Sequence, residues 1–155
     1  MWRCWSYDVR DCITLAGRHQ SVDDDTHAGT GFEIPSGLVV ELSRAKVKPG
    51  AEAEADRWMR MLNDRLDDCV ATLDRERMAI EIVFRLREHD EDYLFWVTVR
   101  GEDGAGLDRD LPIDRDHMEQ ARRTKEPGWV EAEPQVLMLP EPVRQAVLSW
   151  ALRAQ

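Results

Sequence analysis

Two strand-like runs limit the possible folds of this chain more than any other feature. Ala79-Ile80-Glu81-Ile82-Val83-Phe84-Arg85-Leu86-Arg87 and Asp92-Tyr93-Leu94-Phe95-Trp96-Val97-Thr98-Val99-Arg100 are rich in β-branched and aromatic residues, and only Glu88-His89-Asp90-Glu91 separates them. Runs of this kind around a four-residue connection predict a hairpin. Pairing Leu86 with Tyr93 sets Phe84 opposite Phe95, Ile82 opposite Val97 and Ile80 opposite Val99, which makes one face wholly apolar. The same register predicts a cross-strand ion pair between Arg87 and Asp92. The other face carries Glu81 beside Thr98, Val83 beside Trp96 and Arg85 beside Leu94, too apolar a set to stay wet. One layer of helices covers one face of a sheet, so the second face needs a further cover, and a second copy of the sheet is the simplest. The pattern therefore predicts a homodimer through the face with Val83, Leu94 and Trp96.

The elements around the hairpin complete an α+β domain. Leu38–Val47 is an aliphatic strand stopped by Lys48-Pro49-Gly50, and Glu52–Asp74 holds apolar residues at helical spacing, predicting one long amphipathic helix. After the acidic loop Glu102–Leu111, Asp114 is placed to cap a helix over Arg115–Thr124 that ends near Pro127-Gly128. Gln135–Leu139 is apolar on both parities and predicts a last strand, followed by a helix from about Pro142 to Leu152. Strand, helix, strand, strand, helix, strand is the split βαβ order of a ferredoxin-like βαββαβ sandwich, here with a C-terminal helix. Residues 1–36 show no sustained period and read as a poorly ordered N-terminal extension to a domain over 37–155.

Charge and cysteine usage narrow the partners. With 31 acidic against 21 basic residues in 155, the net charge of −10 argues against a phosphate backbone or an anionic membrane surface, so no nucleic-acid or membrane partner is expected. No apolar run is long enough to span a bilayer and no secretory leader is visible, which predicts a cytoplasmic protein. Cys4, Cys12 and Cys69 match no disulfide framework; Cys4 and Cys12 with His19 and His27 match no closed zinc pattern. Neither metal nor cofactor is expected. Asp108–Asp116 fails as a calcium loop because Pro112 and Ile113 stand where a ligand and a glycine are needed.

Between about Val40 and Trp150 stand the turn Lys46-Val47-Lys48-Pro49-Gly50, the helix passage Ala71-Thr72-Leu73, the strand Asp92-Tyr93-Leu94-Phe95-Trp96, and His117 after the acidic loop. In these the chain resembles an uncharacterised family, domain of unknown function 6176, of the dimeric α/β-barrel group, with His117 similar to a histidine in that family's second helix. The resemblance implies a ferredoxin-like subunit whose sheet packs against a partner's sheet. It does not choose a reaction, because the wider group includes cofactor-free monooxygenases, haem-degrading enzymes, mutarotases and isomerases.

His117 is the candidate catalytic residue, an imidazole on a short helix beside a sheet that could move a proton near neutral pH; the plainer alternative is a surface or capping histidine. It is also the one candidate for an axial haem ligand. Glu81, Arg85, Tyr93 and Trp96 are the candidate ligand-binding residues, placing charge and ring together, with an interfacial ion pair and plain core packing as the competing readings. Tyr93 with Trp58 could line a pocket between sheet and helix, whereas His89 sits among turn acids as a solvated side chain. Without a nucleophile–base pair, metal cluster or cofactor fingerprint, the chain reads as a dimeric small-molecule-binding or structural module. The alternative is a cofactor-independent enzyme of monooxygenase or isomerase type built on His117.

Overall fold

The hairpin forms with the expected register and a tighter turn. The computed structural model describes residues 33–153. In it β2 (Met78–Glu88) and β3 (Glu91–Gly101) pair Leu86 with Tyr93, Phe84 with Phe95 and Ile82 with Val97. Only His89 and Asp90 lie between them, both left-handed at φ 50° and 62°, the conformation a two-residue turn needs to match the twist of its strands. The ion pair differs from expectation. Arg85 Nη2, not Arg87, holds Asp92, at 2.6 Å, while Arg87 sits 3.7 Å from Asp90. Side chains directly opposite on an antiparallel pair compete with diagonal neighbours, and on this strand the diagonal partner wins.

β1 (Leu38–Lys46) pairs antiparallel with β3, setting Ser43 beside Trp96 and Glu41 beside Thr98. The short β4 (Val130–Ala132) adds to the far side of β1, with Glu131 beside Ser43. The result is a four-stranded antiparallel sheet in the order β2-β3-β1-β4. The expected last strand at Gln135–Leu139 is not one: residues 133–140 form no strand, and Val136 and Met138 stand 64% and 81% exposed. Pro134 and Pro140 bracket that stretch without N–H donors, so the weaker-looking Trp129-Val130-Glu131-Ala132 run supplies the edge instead.

Helices α1 (Glu52–Asp64), α2 (Leu66–Glu76), α3 (Pro112–Thr124) and α4 (Glu141–Ala151) complete the α+β fold. The single long helix expected over Glu52–Asp74 is thus two, interrupted at Arg65 with φ −119° and ψ 34°. The Arg65 guanidinium donates to Asp68 at 3.0 Å and to Asp116 of α3 at 2.7 Å, so the interruption faces a partner on the neighbouring helix. α3 begins one turn earlier than expected because Pro112 occupies its first turn, where a missing N–H costs nothing. Asp114 is therefore inside the helix, accepting from the Asp108 N–H at 2.7 Å.

Which face of the sheet lies inside is the main correction. Val83, Leu94 and Trp96, expected to meet a second subunit, face α1 and α3. Leu94 and Trp96 are buried there with Val47, Ala55, Trp58 and Ala121, and Val83 packs against that cluster. A second cluster on the other face, Leu38, Val99, Val147 and Ala151, is covered by α4 and by Leu137. α4 shields only one end of that face. Ile82, Phe84 and Leu86, from the more apolar side of the hairpin, remain 43%, 53% and 49% exposed. The residues named for a homodimer interface are thus spent on the subunit's own core.

Of the predicted N-terminal extension, residues 1–32 lie outside the described residues, with Trp2, Trp5, Tyr7 and the Cys4, Cys12, His19 and His27 set. Ile34 packs against the second cluster. Among the described residues, no helix is long and apolar enough to cross a membrane, and no group of three or more His, Cys, Asp or Glu side chains is arranged to hold a metal ion.

Candidate functional site

The site is built where one face of α3 meets the β1/β4 side of the sheet. Along α3, His117, Gln120, Ala121 and Thr124 recur at helical spacing, which aims them at the same neighbour. Ala121 has no exposed surface and shares one buried cluster with Ala55 and Trp58 of α1 and with Trp96 of the sheet. The Trp58 and Trp96 rings lie 5.3 Å apart at 38°, and the His117 imidazole meets Trp58 edge-on at 5.1 Å.

Beyond α3 the chain turns back on itself. The Lys125 N–H still bonds the Ala121 carbonyl at 2.8 Å, Lys48 N–H takes the Thr124 carbonyl at 2.8 Å, and Glu126 N–H takes the Lys46 carbonyl at 2.9 Å. These bonds pin Lys125 beside Val47 at the end of β1. Its ammonium lies 5.3 Å from the Trp96 ring centre and 4.8 Å from that of Trp129, which follows the Pro127-Gly128 turn. The cleft so formed is lined by Trp96, Thr98, His117, Lys125, Trp129 and, from the sheet edge, Glu41, Ser43 and Glu131; it is a shallow recess with a volume of about 30 Å³.

Burial sets the charge states inside it. His117, only 8% exposed, is pushed down to about 4 by burial and then by the nearby Lys125 charge, so its imidazole is neutral at physiological pH. Burial pushes Lys125 down to about 8. The faces of the two indoles favour the ammonium and oppose part of that fall. Glu41 is bound by Arg100 at 3.1 Å, which leaves Glu131 as the cleft's carboxylate next to the strand edge. Around the same place, Trp58 Nε1, Trp96 Nε1, Gln120 Oε1 and Thr124 Oγ1 are buried without a hydrogen-bond partner among the described residues. Each such group costs about 1–3 kcal/mol.

Of the residues picked out in the sequence, the structure brings together His117 and Trp96. Glu81 lies on the same sheet face but beyond Thr98, where burial raises its carboxyl and the Asp114 charge adds to the rise. Arg85 is held at the end of the sheet by Asp56 and Asp92, its guanidinium raised by the Asp92 hydrogen bond. Tyr93 belongs to the opposite face. Its hydroxyl donates to Glu91 at 2.5 Å and its ring lies under Arg44 at 4.8 Å. His89 is solvated in the turn, as its acidic neighbours suggest.

Lys125 and Trp129 are the residues that sequence reasoning missed. Their signal is small but physical: the chain has three lysines, and this one precedes a Pro-Gly turn with tryptophan directly after it. That turn folds the ring back onto the cation.

Residues 38–145 match the model of the family of unknown function DUF6176, and the chain belongs to that family. No curated protein and no solved structure matches the chain.

Proposed function

We propose that this member of the DUF6176 family is a small-molecule-binding domain whose ligand is a flat, largely apolar and neutral organic molecule held in the α3 cleft. The observation that carries the reading is the convergence of two indole walls, Trp96 and Trp129, with three hydrogen-bonding groups, Lys125, His117 and Ser43, in one recess open to solvent. Mostly apolar clefts with a few convergent polar groups are the usual form of ligand sites. Glu41 and Glu131 at the strand edge disfavour an anionic ligand. As a proton mover at neutral pH, His117 is poorly matched, because a base at about 4 is weak there; this puts the binding reading ahead of the monooxygenase or isomerase reading. Titrating protein labelled at its six tryptophan indoles with neutral bicyclic aromatics, followed by NMR, tests it. The Trp96 and Trp129 N–H signals are expected to move together while Trp150 stays still. Equal shifts at all six would sink the proposal.

A second reading concerns assembly. The exposed Ile82, Phe84 and Leu86, continuous with half-buried Phe95 and Val97, support self-association through this open face. The strand order β2-β3-β1-β4 supports a ferredoxin-like subunit. Sedimentation analysis of the wild type and of Phe84→Glu separates the cases: a dimer that the substitution dissociates is expected. A wild-type monomer at tens of micromolar would end this reading.

A further inference from the structure

The geometry points to a second ligand site, built around Arg77, that binds a small zwitterion: a free α-amino acid of about the size of alanine. This site shares no residue with the α3 cleft and goes beyond the function proposed there.

A cavity of about 200 Å³ opens where the end of β3 and the start of β1 meet the α2–β2 turn and the last turn of α4; Gly37, Arg77, Gly101, Glu102, Asp103 and Arg153 are among its walls. At ~30 Å³ per water, that space matches a molecule of about six or seven non-hydrogen atoms, the size of alanine or serine. Gly101 allows α4 to approach here, because a Cβ on it would strike the Ala151 carbonyl.

Arg77 ends α2 in the left-handed conformation, at φ 53°, where glycine is the common residue. Only 8% of it is exposed. Its Nη1 donates to the Arg153 carbonyl, its Nε is buried with no hydrogen-bond partner, and no carboxylate pairs with it among the described residues. Arg153, by contrast, is paired with Asp74 and lies over the Trp150 ring at 3.9 Å. With Nη1 taken, Arg77 keeps its Nε–Nη2 edge, the two parallel donors that hold a carboxylate side-on. A buried charged donor without a partner is costly, so a carboxylate placed there gains strongly.

The opposite charge stands on the same cavity. Glu102 and Asp103 are its exposed members, and their carboxylates make no ion pair among the described residues. They disfavour a simple anion, as Arg77 disfavours a simple cation. A molecule that carries both charges on one carbon satisfies both walls.

Titrating L-alanine into the whole chain, with the indole and glycine N–H signals followed by NMR, tests this. Trp150, whose indole N–H bonds the Met78 carbonyl at 3.0 Å beneath Arg153, and the Gly101 amide are expected to shift along one saturable curve while Trp129 stays still. Arg77→Gly suits the left-handed turn and should keep the fold, yet weaken binding at least about tenfold; the exposed pair Glu102→Gln and Asp103→Asn should weaken it comparably. Propionate and ethylamine, each alanine without one charge, should bind at least about tenfold more weakly. The proposal is overturned if alanine gives no saturable shift, if either variant binds it as tightly as the wild type, or if propionate or ethylamine matches it. A Trp129 shift on the same curve as Trp150 also overturns it, since alanine would then be acting at the α3 cleft.

Discussion

The two faces of this sheet are both apolar, and the less apolar of them is inside. Val83, Leu94 and Trp96 share their face with Glu81, Arg85 and Thr98, yet that face carries the core under α1 and α3. The face of Ile82, Phe84, Phe95 and Val97 has no charged residue at those positions and stays partly open. Total hydrophobicity therefore did not decide the outcome. Side-chain size follows it better: the Trp58 and Trp96 rings and Leu94 are buried together with Ala55 and Ala121 under α1 and α3, whereas Ile82 and Phe84 lie on the outer surface.

Unequal substitution costs should expose this contrast. The largest effect is expected from Trp58→Ala, which empties a fully buried ring and should lose about 3–5 kcal/mol in chemical denaturation. A loss below about 1 kcal/mol would mean the helix face is not the real core. Next comes acid. The folded-state value of His117 lies below its ordinary 6.5, at about 4, so the stability it contributes is present above pH 6.5 and is lost as pH falls toward 4. About 3 kcal/mol should disappear over that window in the wild type and not in His117→Gln, as read from unfolding midpoints at stepped pH.

A smaller effect of opposite sign belongs to Glu76, whose carboxyl burial raises to about 7. Its folded form favours the proton, so stability is fullest below its ordinary 4.5 and declines as pH rises through 7. Glu76→Gln should gain about 1–2 kcal/mol at pH 8 and nothing at pH 4.5. A thermal scan at the two pH values that shows equal shifts would refute the assignment. The smallest effect is expected on the open face, where Phe84→Ala at submicromolar concentration should cost under about 1 kcal/mol. A cost rivalling that of Trp58→Ala would erase the difference between the faces.

How much of this could be read from the sequence follows from what kind of information each feature needs. The hairpin register was legible because a one-residue slip would exchange the two parities, and the Leu86–Tyr93 pairing keeps like with like. The inside face was not, since both parities are apolar and alternation does not choose between them. β4 was misplaced because Gln135–Leu139 has the composition of a strand, while pairing depends on donors that Pro134 and Pro140 do not have. In the site, His117 and Trp96 were found singly by residue type. Their meeting depends on the packing of α3, and Lys125 joins them through a turn whose direction no periodicity encodes.

The Trp58–Trp96 pair has an optical consequence. Two indoles 5.3 Å apart and tilted by 38° couple their electronic transitions, and a coupled, chirally twisted pair gives a signed couplet in circular dichroism that isolated rings lack. The edge of the His117 ring rests against the same pair, so protonating it or filling the cleft beside Trp96 will change that couplet. The protein thus carries, at the place most in need of watching, a spectroscopic reporter that requires no added label.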